Sequence, residues 1–383
     1  MKSTQATIND VARLAGVSKA TVSAVLNDTG TVKRSTRDRV LQAIEALNYR
    51  KSGPDGRSQN GPQMRSIGLV IKEIDNPYYG EVVTGARAAA QESGYTLLVT
   101  SSEGDYEAER RAVELLHRAG ADGLILTPVL DGDADLSHLF ELKRRNFPFV
   151  LLEELRGVPA SLIDVDNEQA SQKAVEFLIG QGHTRIAHFA GPEYSWHSQE
   201  RIDGVRRACS GSHVIFTDGD IVRAGAHLDD GYRAGLAYFR DRPAAERPTA
   251  VTCYNDLVAL GLCRALAELG IGVPADVSVV GYDDIQMLDY LPLRLTSVRM
   301  PKFEMGEMAA RMLIRHIESK EMLPPQKVFL DSELVVRDST RPVGAGGELA
   351  AIRPSRIHFA TAGDGAPGDG DGTARGTSGR TAR

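Results

Sequence analysis

Long apolar runs are missing from this 383-residue chain. No window approaches the roughly 18 consecutive apolar residues of a membrane helix, which excludes a spanning segment, and Met1-Lys2-Ser3-Thr4-Gln5 has no character of an export signal. Cysteine is scarce as well: Cys209, Cys253 and Cys263 are odd in number and far apart, without the paired spacing of a zinc site or a disulfide framework. Reduced thiols and a cytoplasmic location are expected. The histidines show no metal-ligand spacing, no Gly-x-Ser-x-Gly elbow accompanies an Asp and a His in order, and the isolated Gly191-Pro192 and Gly219 do not build a phosphate loop. The expectation is therefore no catalytic set, no metal and no cofactor. No repeat of solenoid length is present.

What is there is enough for two or three domains, with hydrophobic residues at 42%. Net charge is −6, unevenly spread: residues 1–65 hold eleven Lys/Arg against five Asp/Glu, a surplus of +6 that leaves −12 on the rest. A basic head on an acidic body lets only one end approach a polyanion. Between Tyr49 and Ile67 the chain is rich in Gly, Pro, Ser, Asn and Gln and reads as a linker; from Gly344 onward repeated glycines predict a disordered tail.

The head reads as three short helices. Thr7 with Asp10 resembles a capping box, and Ile8, Val11, Ala12 and Ala15 recur at helical spacing until Gly16. Ser18 caps a second helix over 19–26, with Val22, Val25 and Leu26 inward and Lys19, Ala20, Ser23 and Ala24 outward. Ser35 with Asp38 starts a third, whose buried stripe is Val40, Leu41, Ile44 and Leu47. Two helices joined through a Gly turn, the second presenting small polar and basic side chains, fit a helix-turn-helix that places its second helix in the major groove.

From Ile67 onward short apolar runs alternate with amphipathic helices. Strands are expected at 67–71, 96–100, 123–126 and 149–152, then at 186–189, 214–216, 250–253 and 277–281. Strands separated by helices of that length imply α/β architecture: doubly wound parallel sheets, ligands at the carboxyl ends of the strands, and here two lobes. The helix over 256–269 is apolar nearly all round, so one face should meet its sheet and the other a second subunit.

The run ATINDVARLAGVSKATVSAVLN at 6–27, with Leu47-Asn48-Tyr49, resembles the DNA-binding head of the lactose repressor and galactose repressor (LacI/GalR) family. The likeness continues through IGLV at 67–70, NPYYGEV at 76–82, ADGLIL at 121–126, VDNEQA at 165–170, GHTRIAHFAGP at 182–192, RIDG at 201–204, PTAVTCYND at 248–256 and VPADVSVVGYDD at 273–284, to about Pro342. It implies a helix-turn-helix head at 1–49, a linker at 50–65, a two-lobed body at 66–342 similar to periplasmic sugar-binding proteins, and a tail at 343–383. Lobe one would hold 66–164 plus 296–325, and lobe two 165–293 plus 326–341.

By position the resemblance puts base reading on Lys19, Ala20 and Ala24. Lys19 suits guanine, whereas the alanines offer only methyl groups. Phosphate contacts fall on Thr7, Ser18, Thr21, Ser23, Asn27, Thr31 and Thr36. Effector contacts fall on Tyr78, Tyr79, Glu153, His197, Arg201, Asn255 and Asp283, with Trp196 placed to stack on a sugar ring. The family's aromatic clamp, which would lie near Ala226 and His227, is not evident, which disfavours a purine ligand. The linker departs too: RKSGPDGRSQNGPQMRS at 50–66 lacks the wedge leucine, and its Gly-Pro pairs disfavour the hinge helix.

The resemblance implies a cytoplasmic, homodimeric transcription regulator, a repressor by expectation, on a pseudo-palindromic double-stranded operator. Its allosteric effector is expected to be a small polar metabolite, a carbohydrate first. The sequence also admits three alternatives: a sugar receptor with no repressor role, an activator, and a sugar-modifying enzyme.

Overall fold

A computed structural model describes residues 7–26, 32–47, 65–129, 135–155, 157–319 and 323–344. The linker, the glycine-rich tail beyond 344, Asn27 and Thr31 lie outside the described residues, and with them the expectations placed there.

The head contains α1 (Ile8–Ala15), α2 (Lys19–Leu26) and α3 (Arg34–Ala46). Val11, Ala12, Ala15, Val22, Val25, Val40 and Ala43 form its core. The third helix departs from expectation twice. It begins before Ser35, which therefore lies inside it rather than capping it, and Leu41 is 50% exposed while Ala43 is buried. Positions 40, 43, 44 and 47 follow the 3.6-residue period, and Leu41 points off that stripe.

The body is built from two six-stranded sheets. The first half of the chain supplies β1 (Ser66–Ile71), α4 (Tyr78–Glu92), β2 (Thr96–Ser101), α5 (Tyr106–Arg118), β3 (Leu124–Leu126), α6 (Ser137–Arg144), β4 (Phe149–Leu151) and β5 (Ser161–Val165). The second half supplies α7 (Asn167–Gly180), β6 (Ile186–Ala190), α8 (Trp196–Ser210), β7 (Ile221–Arg223), α9 (Leu228–Phe239), β8 (Ala250–Cys253), α10 (Asp256–Glu268), β9 (Ser278–Asp283) and β10 (Thr296–Arg299). It ends with α11 (Lys302–Glu318), β11 (Lys327–Leu330) and β12 (Glu333–Val335). Sheet one runs β11-β5-β4-β3-β1-β2 and sheet two β12-β10-β9-β8-β6-β7, parallel throughout except where β12 meets β10.

Alternation along each strand buries both sheet faces, as parallel sheets require. Ile67, Leu69 and Ile71 face the α4/α11 side, and Val70, Leu124 and Leu126 face α5 and α6. In sheet two, Phe189, Val251 and Val279 pack under α9 and α10. Helix pairs on each lobe meet backbone to backbone. A Cβ on Gly306 would lie 2.0 Å from the Val82 carbonyl oxygen, and one on Gly261 2.0 Å from that of Leu228.

Three expectations are corrected here. The apolar run at 214–216 is not a strand, since Ile215 is 83% exposed and β7, five residues later, pairs with β6 instead. The lobe exchange falls later than expected: β10 pairs with β9 in sheet two and β11 with β5 in sheet one, so the chain crosses after Arg299 and after Leu330. Finally, the second apolar face of α10 is covered by α9 of the same chain, which removes the reason for assigning it to another subunit. No described helix is long and apolar enough to cross a membrane.

Candidate functional site

In the head, local chemistry presents α2. Thr7 closes a capping box with Asp10: Thr7 Oγ1 donates to Asp10 Oδ2 at 2.6 Å, and the Asp10 N–H reaches Thr7 Oγ1 at 3.4 Å. The hydroxyl and the backbone N–H of Thr7, both donating to Asp10 Oδ2, hold the Asp10 carboxyl below its ordinary pKa. Gly16 takes the left-handed conformation (φ 65°) that ends α1. The Thr21 N–H donates to Ser18 Oγ at 3.1 Å, so Ser18 starts α2 as its type predicts. Lys19 and Ala20 are exposed, whereas Thr21, Ser23, Ala24 and Thr36 are half-buried.

In the body, side chains from the carboxyl ends of both sheets converge. Lys72 follows β1, Glu153 follows β4, and Asp164 lies in β5; from lobe two come Asn167 at the start of α7, His197, Glu200 and Arg201 on α8, Tyr254 and Asn255 after β8, and Tyr282 and Asp283 ending β9. Lys72 Nζ donates to Glu153 Oε2. His197 lies between two carboxylates, with Nε2 3.1 Å from Asp164 Oδ2 and Nδ1 3.9 Å from Glu153 Oε1. Burial opposes the imidazolium, but Glu153 and Asp164 outweigh it and raise the His197 pKa. Burial likewise opposes the Glu153 charge, and Lys72 and His197 still hold its carboxyl below the usual range. Glu153 Oε1 is buried with no hydrogen-bond partner among the described residues.

Arg201, 4% exposed, donates from Nε to Asn167 Oδ1 at 3.1 Å and from a terminal nitrogen to the Tyr254 carbonyl, with its guanidinium 3.5 Å over the Tyr282 ring. It makes no ion pair with Asp283 or Glu153 among the described residues. Burial pushes Asp283 up to about 6 against the pull of Arg201 and Lys302, and Glu200 up to about 7. Asp283 and Asp284 carry positive φ (111° and 53°), a strained turn whose carbonyls both accept from buried Lys302 Nζ.

Tyr78 and Tyr79 open α4, their rings edge to face at 5.1 Å. Burial raises both phenols well above their ordinary value, with Asp283 the next influence on Tyr78. Asn255 has a bracing position: its Oδ1 accepts the Val258 N–H at 2.9 Å, and its Nδ2 donates to the Ala226 carbonyl at 2.8 Å. Trp196 is the first residue of α8 and half-buried. The structure thus brings Tyr78, Glu153, His197, Arg201 and Asp283 into one electrostatic group and leaves Asn255 to the backbone. Lys72, Asp164, Asn167, Glu200, Tyr254 and Tyr282 were missed. Lys72 and Tyr254 were accessible to the rule that places sites just past strand ends, whereas Asp164 depends on β5, which the apolar pattern did not reveal.

Comparison with known proteins gives a consistent result. Residues 7–52 match the bacterial regulatory proteins, lacI family, and residues 175–340 match a periplasmic binding protein-like domain. The HTH-type transcriptional repressor PurR of Vibrio vulnificus (strain CMCP6) is 35% identical over 343 residues, covering 88% of this chain and 99% of that protein. Among solved structures, the transcriptional regulator CelR in complex with cellobiose is 30% identical with a TM-score of 0.65, covering 87% of this chain and 99% of that one. The lac repressor dimer bound to operator and the anti-inducer ONPF is 27% identical, also at 0.65, covering 88% and 100%.

Proposed function

The chain belongs to the lacI family of bacterial regulatory proteins, and from that premise we propose that it is a cytoplasmic repressor, binding a pseudo-palindromic operator as a homodimer and switched by a neutral carbohydrate. The head at 1–49 reads DNA, with Lys19 donating to a base edge and Ala20 and Ala24 packing on methyl groups. Thr7, Ser18, Thr21, Ser23, Asn27, Thr31 and Thr36 position it on phosphates, and 50–65 links it to the body. The dimeric lac repressor on its operator and the CelR–cellobiose complex support this reading.

One observation carries the choice of ligand: cations and carboxylates are interleaved around the cleft, with Lys72 on Glu153, His197 on Asp164 and Glu153, and Arg201 stacked on Tyr282, the neighbour of Asp283. A phosphorylated ligand needs surplus positive charge, whereas a polyol needs donors and acceptors of both kinds. Glu153 Oε1, beside His197 Nδ1 but with no hydrogen-bond donor among the described residues, would accept from a ligand hydroxyl. Tyr78 and Trp196, both half-buried, supply apolar ring faces, whereas Tyr79 is buried in the core of lobe one. This role is binding without turnover: the sugar stabilises one arrangement of the lobes and thereby shifts a population of head spacings. A hundredfold preference for one arrangement supplies about 2.7 kcal/mol, enough to empty an operator held near its midpoint.

The test is calorimetric titration of the full-length protein with cellobiose, ribose and their phosphorylated counterparts, alongside selection of operator sequences with and without each sugar. Stoichiometric binding of a neutral sugar that changes operator occupancy supports the assignment. Exclusive binding of a phosphosugar, or conversion of any sugar to product, refutes it.

A further inference from the structure

Lys302 opens α11 and is 2% exposed. That is a costly place for an ammonium, because burial strips its water and the first turn of a helix carries the positive end of the dipole. Three acceptors offset the cost. Nζ donates to the carbonyls of Asp283 and Asp284, the latter at 3.0 Å, and lies 3.3 Å from Glu81 Oε1 on α4. Asp283 ends β9 in lobe two and Asp284 follows it, whereas α4 and α11 cover sheet one, so this ammonium joins the lobes beside the crossing after Arg299. On the same helix face Met305, fully buried, accepts the Tyr78 hydroxyl on Sδ at 3.6 Å. Tyr78 is also fixed from its backbone, whose N–H donates to Asn76 Oδ1 at 3.1 Å. The two contacts converge on one pair of groups: after burial, the Asp283 carboxyl is the strongest influence on the Tyr78 phenol.

We propose that Lys302 and Met305 are positioning residues of the effector site: the first turn of α11 holds Asp283 of lobe two and Tyr78 of lobe one at a fixed spacing. The proposal rests on the reading of the cleft as an effector site, because that spacing matters only if a ligand spans it.

Backbone geometry makes the hold on Asp283 directional. The positive φ at Asp283 and Asp284 sets where their side chains point, and bonds from one ammonium to both carbonyls oppose relaxation of that strained turn. The Met300 N–H also reaches the Asp283 carbonyl at 3.4 Å, but Lys302 is the only donor to the Asp284 carbonyl among the described residues. With an acceptor for each of its three protons, the ammonium has none to offer a ligand, which makes it a support rather than a contact. The hold on Tyr78 is equally firm. Gly306, the neighbour of Met305, closes α11 onto the Val82 carbonyl of α4, so the sulfur sits on a rigid helix pair and cannot follow the phenol elsewhere.

The test titrates full-length protein with cellobiose and ribose by calorimetry in two double-mutant cycles, and follows fluorotyrosine-labelled protein by fluorine NMR without sugar. Met305→Leu conserves volume but removes the sulfur acceptor, and should weaken binding roughly two- to tenfold with little change in Tm. In a Tyr78→Phe background it should cost nothing further, because it acts through the hydroxyl. Lys302→Gln should weaken binding about tenfold or more, and less than additively with Asp283→Ala. If Lys302→Gln does not fold, Lys302→Arg, charged but too long for the site, takes its place in that cycle. The Tyr78 fluorine line, identified by its loss in Tyr78→Phe, should shift in Met305→Leu. Wild-type affinity in Met305→Leu, an equal loss with and without the Tyr78 hydroxyl, or additivity between positions 302 and 283 overturns the positioning and leaves the effector site standing. If neither sugar binds, the fault lies with the effector reading and the fluorine line decides: a shift in Met305→Leu keeps the positioning of Tyr78, and an unmoved line overturns it.

Discussion

Arg201 and Tyr282 share one acceptor: Arg201 Nε and the Tyr282 hydroxyl both donate to Asn167 Oδ1, at 3.1 and 3.2 Å, while the guanidinium lies on the Tyr282 ring. A single amide oxygen thereby ties α7, α8 and β9 together beneath the cleft. The guanidinium is therefore fixed by the protein itself, and under the proposed effector role that would lower the ordering cost of binding.

Arg201→Ala should remove that fixed donor and cost about 2 to 5 kcal/mol of effector affinity, leaving operator affinity as it was. Arg201→Lys should rescue little, because an ammonium neither forks nor stacks as a guanidinium does. Calorimetry with whichever neutral sugar the wild type binds, paired with an operator mobility shift, checks both statements. An unaltered titration in Arg201→Ala would discard the pocket.

Lys19→Ala should relax preference at one base pair of each half-site by about 1 to 3 kcal/mol. Thr21→Ala should weaken all sequences alike, because a phosphate contact carries no base information. Sequence selection at two salt concentrations separates the two behaviours.

Gly306→Ala and Gly261→Ala each place a methyl 2.0 Å from a carbonyl oxygen of the facing helix. Prying two close-packed helices apart should cost about 1 to 3 kcal/mol or more and lower Tm by several degrees. Gly80→Ala, where a Cβ meets nothing within 4 Å, is the control and should be neutral or slightly stabilising. Thermal melts followed by circular dichroism rank the three.

His188, buried in β6 with Nδ1 2.9 Å from Thr252 Oγ1, is pushed by burial down to about 3. The unfolded chain takes up that proton near the ordinary histidine value of about 6.5, while the folded chain refuses it until about pH 3. Stability should therefore fall as pH drops through about 6.5, with no contribution from this group above it. Across about pH 7 to 4 the denaturant midpoint of wild type should fall relative to that of His188→Gln, because the variant lacks that penalty.

What the sequence revealed was mostly local. Thr7, Gly16 and Ser18 shape α1 and α2 through bonds spanning three or four residues, and a reader of the sequence meets the same neighbours that the backbone does. Leu41 misled because its size suggested burial, whereas the turn of the helix selected small Ala43. The run at 214–216 is apolar enough for a strand, but pairing with β6 is decided by a partner distant in sequence. The same holds for the site. Tyr78, Glu153 and Arg201 follow motifs or strand ends, but Lys72 finds Glu153 only once β1 and β4 lie in one sheet. The exchange at β10 and β11 was displaced for the same reason, since short strands declare their sheet only through a neighbour.

The chain passes between the lobes three times: after Val165, after Arg299 and after Leu330. Three crossings join bodies whose helix pairs are closed up at glycines, which favours the lobes moving as units rather than deforming within. A molecule bridging the cleft therefore needs no wire of side chains to be noticed elsewhere. By fixing the angle of one door it sets the attitude of everything bolted to the frame.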